Sequence, residues 1–184
     1  MRGLVSAVLW PLSLVYGAVG AIHRQLYRSG IRSVTRVGVP VIVVGNVTAG
    51  GGGKTPTVME ITTHLGARGL RVGVVSRGYG RRTAGCVEVQ PDDSADTCGD
   101  EPLLLRRTLG IPVFVRANRA HAAQALLARH PATQVIVCDD GLQHYGLYRD
   151  IEVCVIDAEG FGNKRLLPAG PMRQHWPPAL VHPA

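Results

Sequence analysis

Apolar residues fall along this chain in two alternating rhythms. Short runs rich in valine and isoleucine occupy residues 40–44, 71–76, 111–115, 134–138 and 151–156. Runs of this length, bounded by turn residues, predict buried strands. Between them, residues 56–65, 100–109 and 119–129 carry apolar positions at helical spacing, the last on an alanine-rich background. Strands alternating with helices predict an α/β domain whose mostly parallel sheet is flanked by helices. Residues 83–99 break the rhythm and read as a short strand followed by the exposed acidic loop Asp92-Asp93-Ser94-Ala95-Asp96.

Ahead of the domain, residues 3–22 carry no charge, and His23, Arg24, Arg28, Arg32 and Arg36 follow them. That length just spans a bilayer core as a helix, but Pro11, Gly17, Gly20, Ser6 and Ser13 weaken a spanning reading. The expectation is a hydrophobic helix in or on a membrane, with its basic flank on the anionic, cytoplasmic side. The chain thus divides into a membrane-associated helix with a basic connector (1–36), a core lobe (37–173) and a tail (174–184). The tail shows neither strand nor helix pattern and is expected to be disordered.

The chemistry concentrates after the first strand, in Gly45-Asn46-Val47-Thr48-Ala49-Gly50-Gly51-Gly52-Gly53-Lys54-Thr55. A strand, a glycine loop, Gly-Lys-Thr and a helix make up the context of a phosphate-binding P-loop, although Thr48 stands where the pattern has its first glycine. Glycines let successive N–H groups curl inward onto phosphate oxygens, and the helix N-terminus adds partial positive charge. Lys54 supplies an ammonium and Thr55 a hydroxyl for Mg²⁺. The chain is therefore read as binding a nucleoside triphosphate through residues 48–55. A second signal is Cys138-Asp139-Asp140, an apolar strand ending in aspartates, which a P-loop enzyme uses to hold the magnesium shell. Arg77-Gly78-Tyr79-Gly80-Arg81-Arg82 follows another strand on the same side of the sheet and suits an anionic ligand. His144, just past the aspartates, is a site-lining candidate. Ile151 to Asp157 reads as another buried strand with an acidic tip.

Composition narrows the partners. The net charge of +7 points to anions, yet few aromatics interleave with the basic residues, so a phosphorylated substrate and an anionic membrane surface account for it better than nucleic acid. The four cysteines form no C-x-x-C pair, which argues against zinc and disulfides and for a reducing compartment. Absence of an Asn-Lys-x-Asp segment argues against a guanine-specific GTPase.

Taken together, several blocks resemble the tetraacyldisaccharide 4′-kinase (lipid A 4′-kinase) family. They are residues 43–56, 73–80, 99–102, 139–145, 161–163 and 166–171, with 10–17 similar to that family's membrane-associated helix. The resemblance implies transfer of the ATP γ-phosphoryl group to the 4′-hydroxyl of a tetraacyldisaccharide 1-phosphate, giving lipid IVA in lipid A biosynthesis. The expected place is the cytoplasmic face of the inner membrane. It further implies Asp100 as the base for the sugar hydroxyl, with Asp139 and Asp140 also catalytic. Thr55, Asp139 and Asp140 would hold Mg²⁺, and Arg77, Arg81, Gln143, His144 and Arg173 would contact substrate or nucleotide phosphates. No protein partner is evident. The family continues beyond the position of Arg173 into a smaller lobe carrying a histidine that partners the base. The chain is therefore expected to be a truncated member, with a catalytically inactive, nucleotide-binding, membrane-associated fragment as the alternative.

Overall fold

The computed structural model describes residues 2–50, 53–158 and 160–175. The elements are α1 (Arg2–Val8), α2 (Trp10–Arg28), β1 (Val41–Gly45), α3 (Lys54–Ala67), β2 (Val72–Ser76), β3 (Val87–Glu88), α4 (Ala95–Cys98), α5 (Asp100–Leu109), β4 (Val113–Val115), α6 (Arg119–Arg129), β5 (Val135–Asp139) and β6 (Ile151–Cys154). The strands form one sheet in the order β3-β4-β2-β5-β1-β6. Every pairing is parallel except that of β3 with β4. The mostly parallel sheet flanked by helices is as expected.

Strands β1, β2, β4 and β5 are buried along their whole length because helices cover both faces. On one face Val41, Val43, Ile136 and Cys138 pack with Ala122, Ala123 and Leu126 of α6. On the other, Val44, Val74 and Val137 pack with Val58 of α3 and Leu103 and Leu105 of α5. Register then decides where function sits. Val44 stands beside Asp139, and Val75 beside Cys138, so the carboxyl ends of β1, β5 and β2 lie next to one another. The loops after these three strands carry the glycine run, the aspartates and Arg77.

Two expectations need correction. The strand at 151–154 is not buried: among the described residues it pairs only with β1, and Ile151 and Glu152 are exposed. Its apolar run mimics a central strand, but it forms the sheet's edge. The uncharged N-terminal run is helical: α1 and α2 meet at Leu9, which keeps a helical conformation and donates to the Val5 carbonyl (3.0 Å), and Pro11 falls in the first turn of α2, where its missing N–H costs little. That helix continues through Arg28, so residues 23–28 of the supposed connector are helical. Among the described residues no helix is long and apolar enough to cross a membrane.

The N-terminal helices instead dock sideways. Ser13 is buried and donates to the Leu166 carbonyl (3.0 Å), Ser6 donates to the Ala169 carbonyl, and Tyr16 donates to the Arg173 carbonyl (3.1 Å). A Cβ on Gly17 would come within 2.8 Å of Leu166 Cδ1, so a larger residue there would make the Leu166 side chain shift. Facing outward, Val8, Leu12, Val15, Val19 and Ile22 follow i, i+4, i+7 spacing and are each more than half exposed.

Candidate active site

The strand-to-helix turn after β1 builds the phosphate loop. Gly53 takes a left-handed conformation (φ 75°) as the residue before α3, which a side chain would strain. Lys54 opens the helix, and only 6% of it is exposed. Its Nζ donates to the Gly50 carbonyl (3.3 Å) and lies 3.9 Å from Asp140 Oδ1. Asn46 Nδ2 donates to the same Gly50 carbonyl (3.0 Å), bracing the loop from beneath. Thr55 is half-buried in the first turn of α3. Gly51 and Gly52, also expected to bind nucleotide, lie outside the described residues.

The end of β5 supplies the acidic half. Asp139 is fully buried, and its Oδ2 accepts from Ser76 Oγ (3.0 Å) across the β2–β5 pairing. Burial, reinforced by the Glu101 carboxylate, pushes the Asp139 carboxyl up to about 6. Its Oδ1 has no hydrogen-bond partner. A buried carboxylate oxygen left unpaired costs stability and calls for a cation. Asp140 lies half-buried in the left-handed region (φ 47°) and pairs with Arg173 Nη1 (3.2 Å) as well as with Lys54. Two carboxylates and the Thr55 hydroxyl suit Mg²⁺, which takes oxygen ligands and completes its shell with phosphates and water. Among the described residues no group of three or more His, Cys, Asp or Glu is arranged to hold a metal without such help.

Gly50, Lys54, Ser76, Arg77, Asp100, Glu101, Asp140 and Arg173 line one cleft of about 460 Å³. Asp100 stands exposed at the start of α5, where the helix N-terminus favours a carboxylate. A recess of about 250 Å³ adjoins the cleft, shares Arg77, Asp140 and Arg173 with it, and adds Arg119, Gln143 and His144. His144 Nε2 accepts from the Arg119 backbone N–H (3.2 Å). Burial, with Arg119 and Arg149 nearby, lowers its ring to about 4, so the imidazole is neutral at physiological pH. Gln143 Nε2 donates to the Asn46 carbonyl (3.0 Å), tying the recess to the phosphate loop.

Arg81 departs from expectation. Its guanidinium donates to the Val115 (3.1 Å) and Gly85 (2.7 Å) carbonyls, so it fastens its own loop and does not line the cleft. Arg119 was missed as a site residue. It is buried, and its Nη2 donates to the Asp140 carbonyl (2.9 Å), holding the backbone that aims this carboxylate. The signal was an arginine at a helix N-terminus, where the dipole disfavours a cation unless its fork is engaged elsewhere. Ser76, the last residue of a buried strand, was missed as well.

Residues 163–173 act as a strap over the loop. Thr48 bridges Met172, Ala49 N–H donates to the Pro171 carbonyl (2.6 Å), and Arg173 N–H donates to the Val47 carbonyl (2.7 Å). The same strap accepts the hydroxyls of Ser6, Ser13 and Tyr16, so the N-terminal helices and the phosphate loop share one support. Between α2 and the core opens a cavity of about 380 Å³ lined by Tyr16, Val19, His23, Tyr145, Leu166 and Arg173, among others.

Comparison with known proteins agrees with this arrangement. Residues 5–182 match the family model described as LpxK, tetraacyldisaccharide-1-P 4′-kinase. The tetraacyldisaccharide 4′-kinase of Acidovorax sp. (strain JS42) is 60% identical over 179 residues, 97% of this chain and 53% of the relative. That of Polaromonas naphthalenivorans (strain CJ2) is 55% identical over 97% of this chain and 52% of its own length. A crystal structure of LpxK from Aquifex aeolicus in complex with ATP superposes with a TM-score of 0.83 at 32% identity, covering 92% of this chain and 54% of that one. The chain therefore spans about half the length of the curated relatives it matches. With Gly50 and Lys54 of the glycine loop, Asp140 and the helix-borne Asp100 gathered at one cleft, and with the family model matched along nearly the whole chain, the protein belongs to the tetraacyldisaccharide-1-P 4′-kinase family.

Proposed function

We propose that the protein transfers the γ-phosphoryl group of ATP to the 4′-hydroxyl of a tetraacyldisaccharide 1-phosphate, the reaction its relatives are named for. The observation that carries this reading is the convergence of Lys54, Asp140 and Asp100 on one cleft, above the buried Asp139. Lys54 and the loop amides hold the β- and γ-phosphates. Asp139, Asp140 and Thr55 would hold Mg²⁺, which when bound would supply charge neutralisation for the phosphates. The Asp100 carboxylate takes the proton of the attacking hydroxyl; the new P–O bond forms at the γ-phosphorus as the bond to the β-phosphate oxygen breaks, and ADP departs. Arg77 and Arg173, with Gln143 and His144 beside them, orient the phosphates and the sugar. The 380 Å³ cavity beside α2 gives an acylated acceptor an apolar approach to this cleft.

The assay is transfer of labelled γ-phosphate from ATP to a tetraacyldisaccharide 1-phosphate in detergent micelles. The wild-type chain is expected to transfer, and Asp100→Asn to lose at least about 10²-fold in kcat with ATP binding intact, since positioned proton transfer contributes about 10²–10⁴-fold. A folded chain that binds ATP but transfers nothing overturns turnover and leaves a nucleotide-binding, membrane-associated protein as the reading.

The apolar stripe on α1 and α2 supports attachment parallel to the inner membrane's cytoplasmic surface, and the net charge of +7 favours anionic headgroups. Replacing Leu12, Val15 and Val19 by serine removes side chains worth about 1.5–3 kcal/mol each when buried. The triple variant is expected to weaken binding to phosphatidylglycerol vesicles by more than tenfold in a co-sedimentation assay. Equal sedimentation of both proteins would sink the surface-lying reading.

A further inference from the structure

The loop from Gly141 to Tyr148 carries Gln143 and His144 to the cleft, yet it belongs to no helix or strand that would satisfy its inward carbonyls. One side chain does so. Arg149 is only 6% exposed. Its Nη1 donates to the Leu142 (3.1 Å) and Gly141 (3.4 Å) carbonyls and to Glu152 Oε1 (3.0 Å). Its Nη2 donates to the Leu147 carbonyl (3.3 Å) and the His144 carbonyl, and its Nε to Leu147 again (3.4 Å). A guanidinium is a rigid planar fork, so carbonyls gathered on it are fixed relative to one another. With the backbone held from inside, Gln143 reaches the Asn46 carbonyl and His144 receives the Arg119 N–H, while Arg119 holds the Asp140 carbonyl.

We propose that Arg149 is a positioning residue for the site: its fork sets the 141–147 loop, which latches Gln143 onto the phosphate loop and His144 onto the start of α6, and so fixes Arg119 against Asp140. The consequence for nucleotide affinity rests on the reading of the cleft as an ATP site. The consequence for His144 does not. A guanidinium serving only to fill and neutralise the core would be replaceable by any buried cation paired with Glu152. A fork is not.

Arg149→Lys makes that distinction, since it keeps the charge and the Glu152 partner and loses the multiple carbonyl bonds. The readout is the His144 ring titration, followed by NMR of protein labelled at histidine ¹³Cε1, with His144→Gln assigning the signal. Burial foremost, and then the charged groups facing the ring, Arg119, Arg149, His23 and Arg77, lower it to about 4. Release of the loop exposes the ring and breaks its bond with the Arg119 N–H, so in Arg149→Lys the midpoint is expected to rise by about one pH unit or more toward 6.5. Mg-ATP affinity, measured by calorimetry, is expected to fall at least tenfold. Glu152→Gln is the second variant, for the case in which the lysine variant fails to fold, because it loosens only one anchor of Nη1 at a partly exposed position. Positioning predicts a smaller rise of the His144 midpoint there, whereas loss of the carboxylate's charge alone moves it down. An unchanged midpoint in folded Arg149→Lys, or a fall in Glu152→Gln, overturns the proposal. Failure of the wild-type chain to bind Mg-ATP would overturn the nucleotide reading and leave the titration test standing.

Discussion

Lys54→Met is expected to leave a folded protein whose affinity for Mg-ATP is lower by about 10²–10³-fold, with phosphoryl transfer lost to at least the same extent. The ammonium is nearly sealed from solvent, so its attraction for a phosphate is little screened. Removing one partner of a buried ion pair costs about 3–5 kcal/mol, and each 1.4 kcal/mol is roughly tenfold in affinity. The fold tolerates the change because Asp140 keeps Arg173 Nη1 at 3.2 Å and is not left unpaired. Methionine matches the apolar stem that packs at the start of α3. Lys54→Arg is expected not to rescue binding, since a wide planar fork does not fit where a compact ammonium sits between the Gly50 carbonyl and Asp140. Calorimetric titration with Mg-ATP, alongside thermal unfolding, checks both halves. Undiminished binding by Lys54→Met would mean that the glycine loop holds no phosphate.

Much of this site was legible because its logic is local. A buried strand, a glycine loop and Gly-Lys-Thr specify the phosphate cradle within a dozen residues, and an apolar strand ending in Asp139-Asp140 specifies the cation side. What sequence left open was which strand ends meet, and the register of β1, β5 and β2 answers that. Arg81 misled because a basic loop looks alike whether its guanidinium faces a ligand or its own backbone carbonyls. Arg119 and Arg149 escaped for the converse reason: most of their partners are backbone carbonyls, which every residue has, so little in the sequence marks them beyond an arginine at a helix N-terminus. The serines of the N-terminal run read as weaknesses in a membrane span. In the structure Ser6 and Ser13 are the hydrogen-bond donors that lay the helices along the strap. Residues 151–154 read as buried because composition records apolarity and not whether a further strand lies alongside.

The second large effect concerns Asp139, where stability and function are set against each other. Desolvation raises its carboxyl from 3.8 to about 6 in the folded protein. A raised acid pKa means that the folded state binds the proton more tightly than the unfolded state, so above pH 6 the ionised carboxylate destabilises the fold. A rise of this size corresponds to a penalty of up to about 3 kcal/mol. It is relieved as pH falls from 6 to 3.8 and absent below that range, where both states are protonated. Asp139→Asn removes the charge and keeps the shape, and a side-chain amide can still meet Ser76 Oγ. In EDTA at pH 8 the variant is therefore expected to melt roughly 5–10 °C above wild type, given about 2–4 °C per kcal/mol for a chain of this size. The gain should shrink through pH 5 and vanish near pH 4. With Mg-ATP the order is expected to reverse, because only the carboxylate can offer its unpaired Oδ1 to the cation; wild type gains in melting temperature and the variant does not. Thermal unfolding from pH 4 to 8, with and without Mg-ATP, tests both signs. A variant less stable than wild type at pH 8 in EDTA would show that Asp139 serves the fold, and that its burial without a partner on Oδ1 is not held there for a cation.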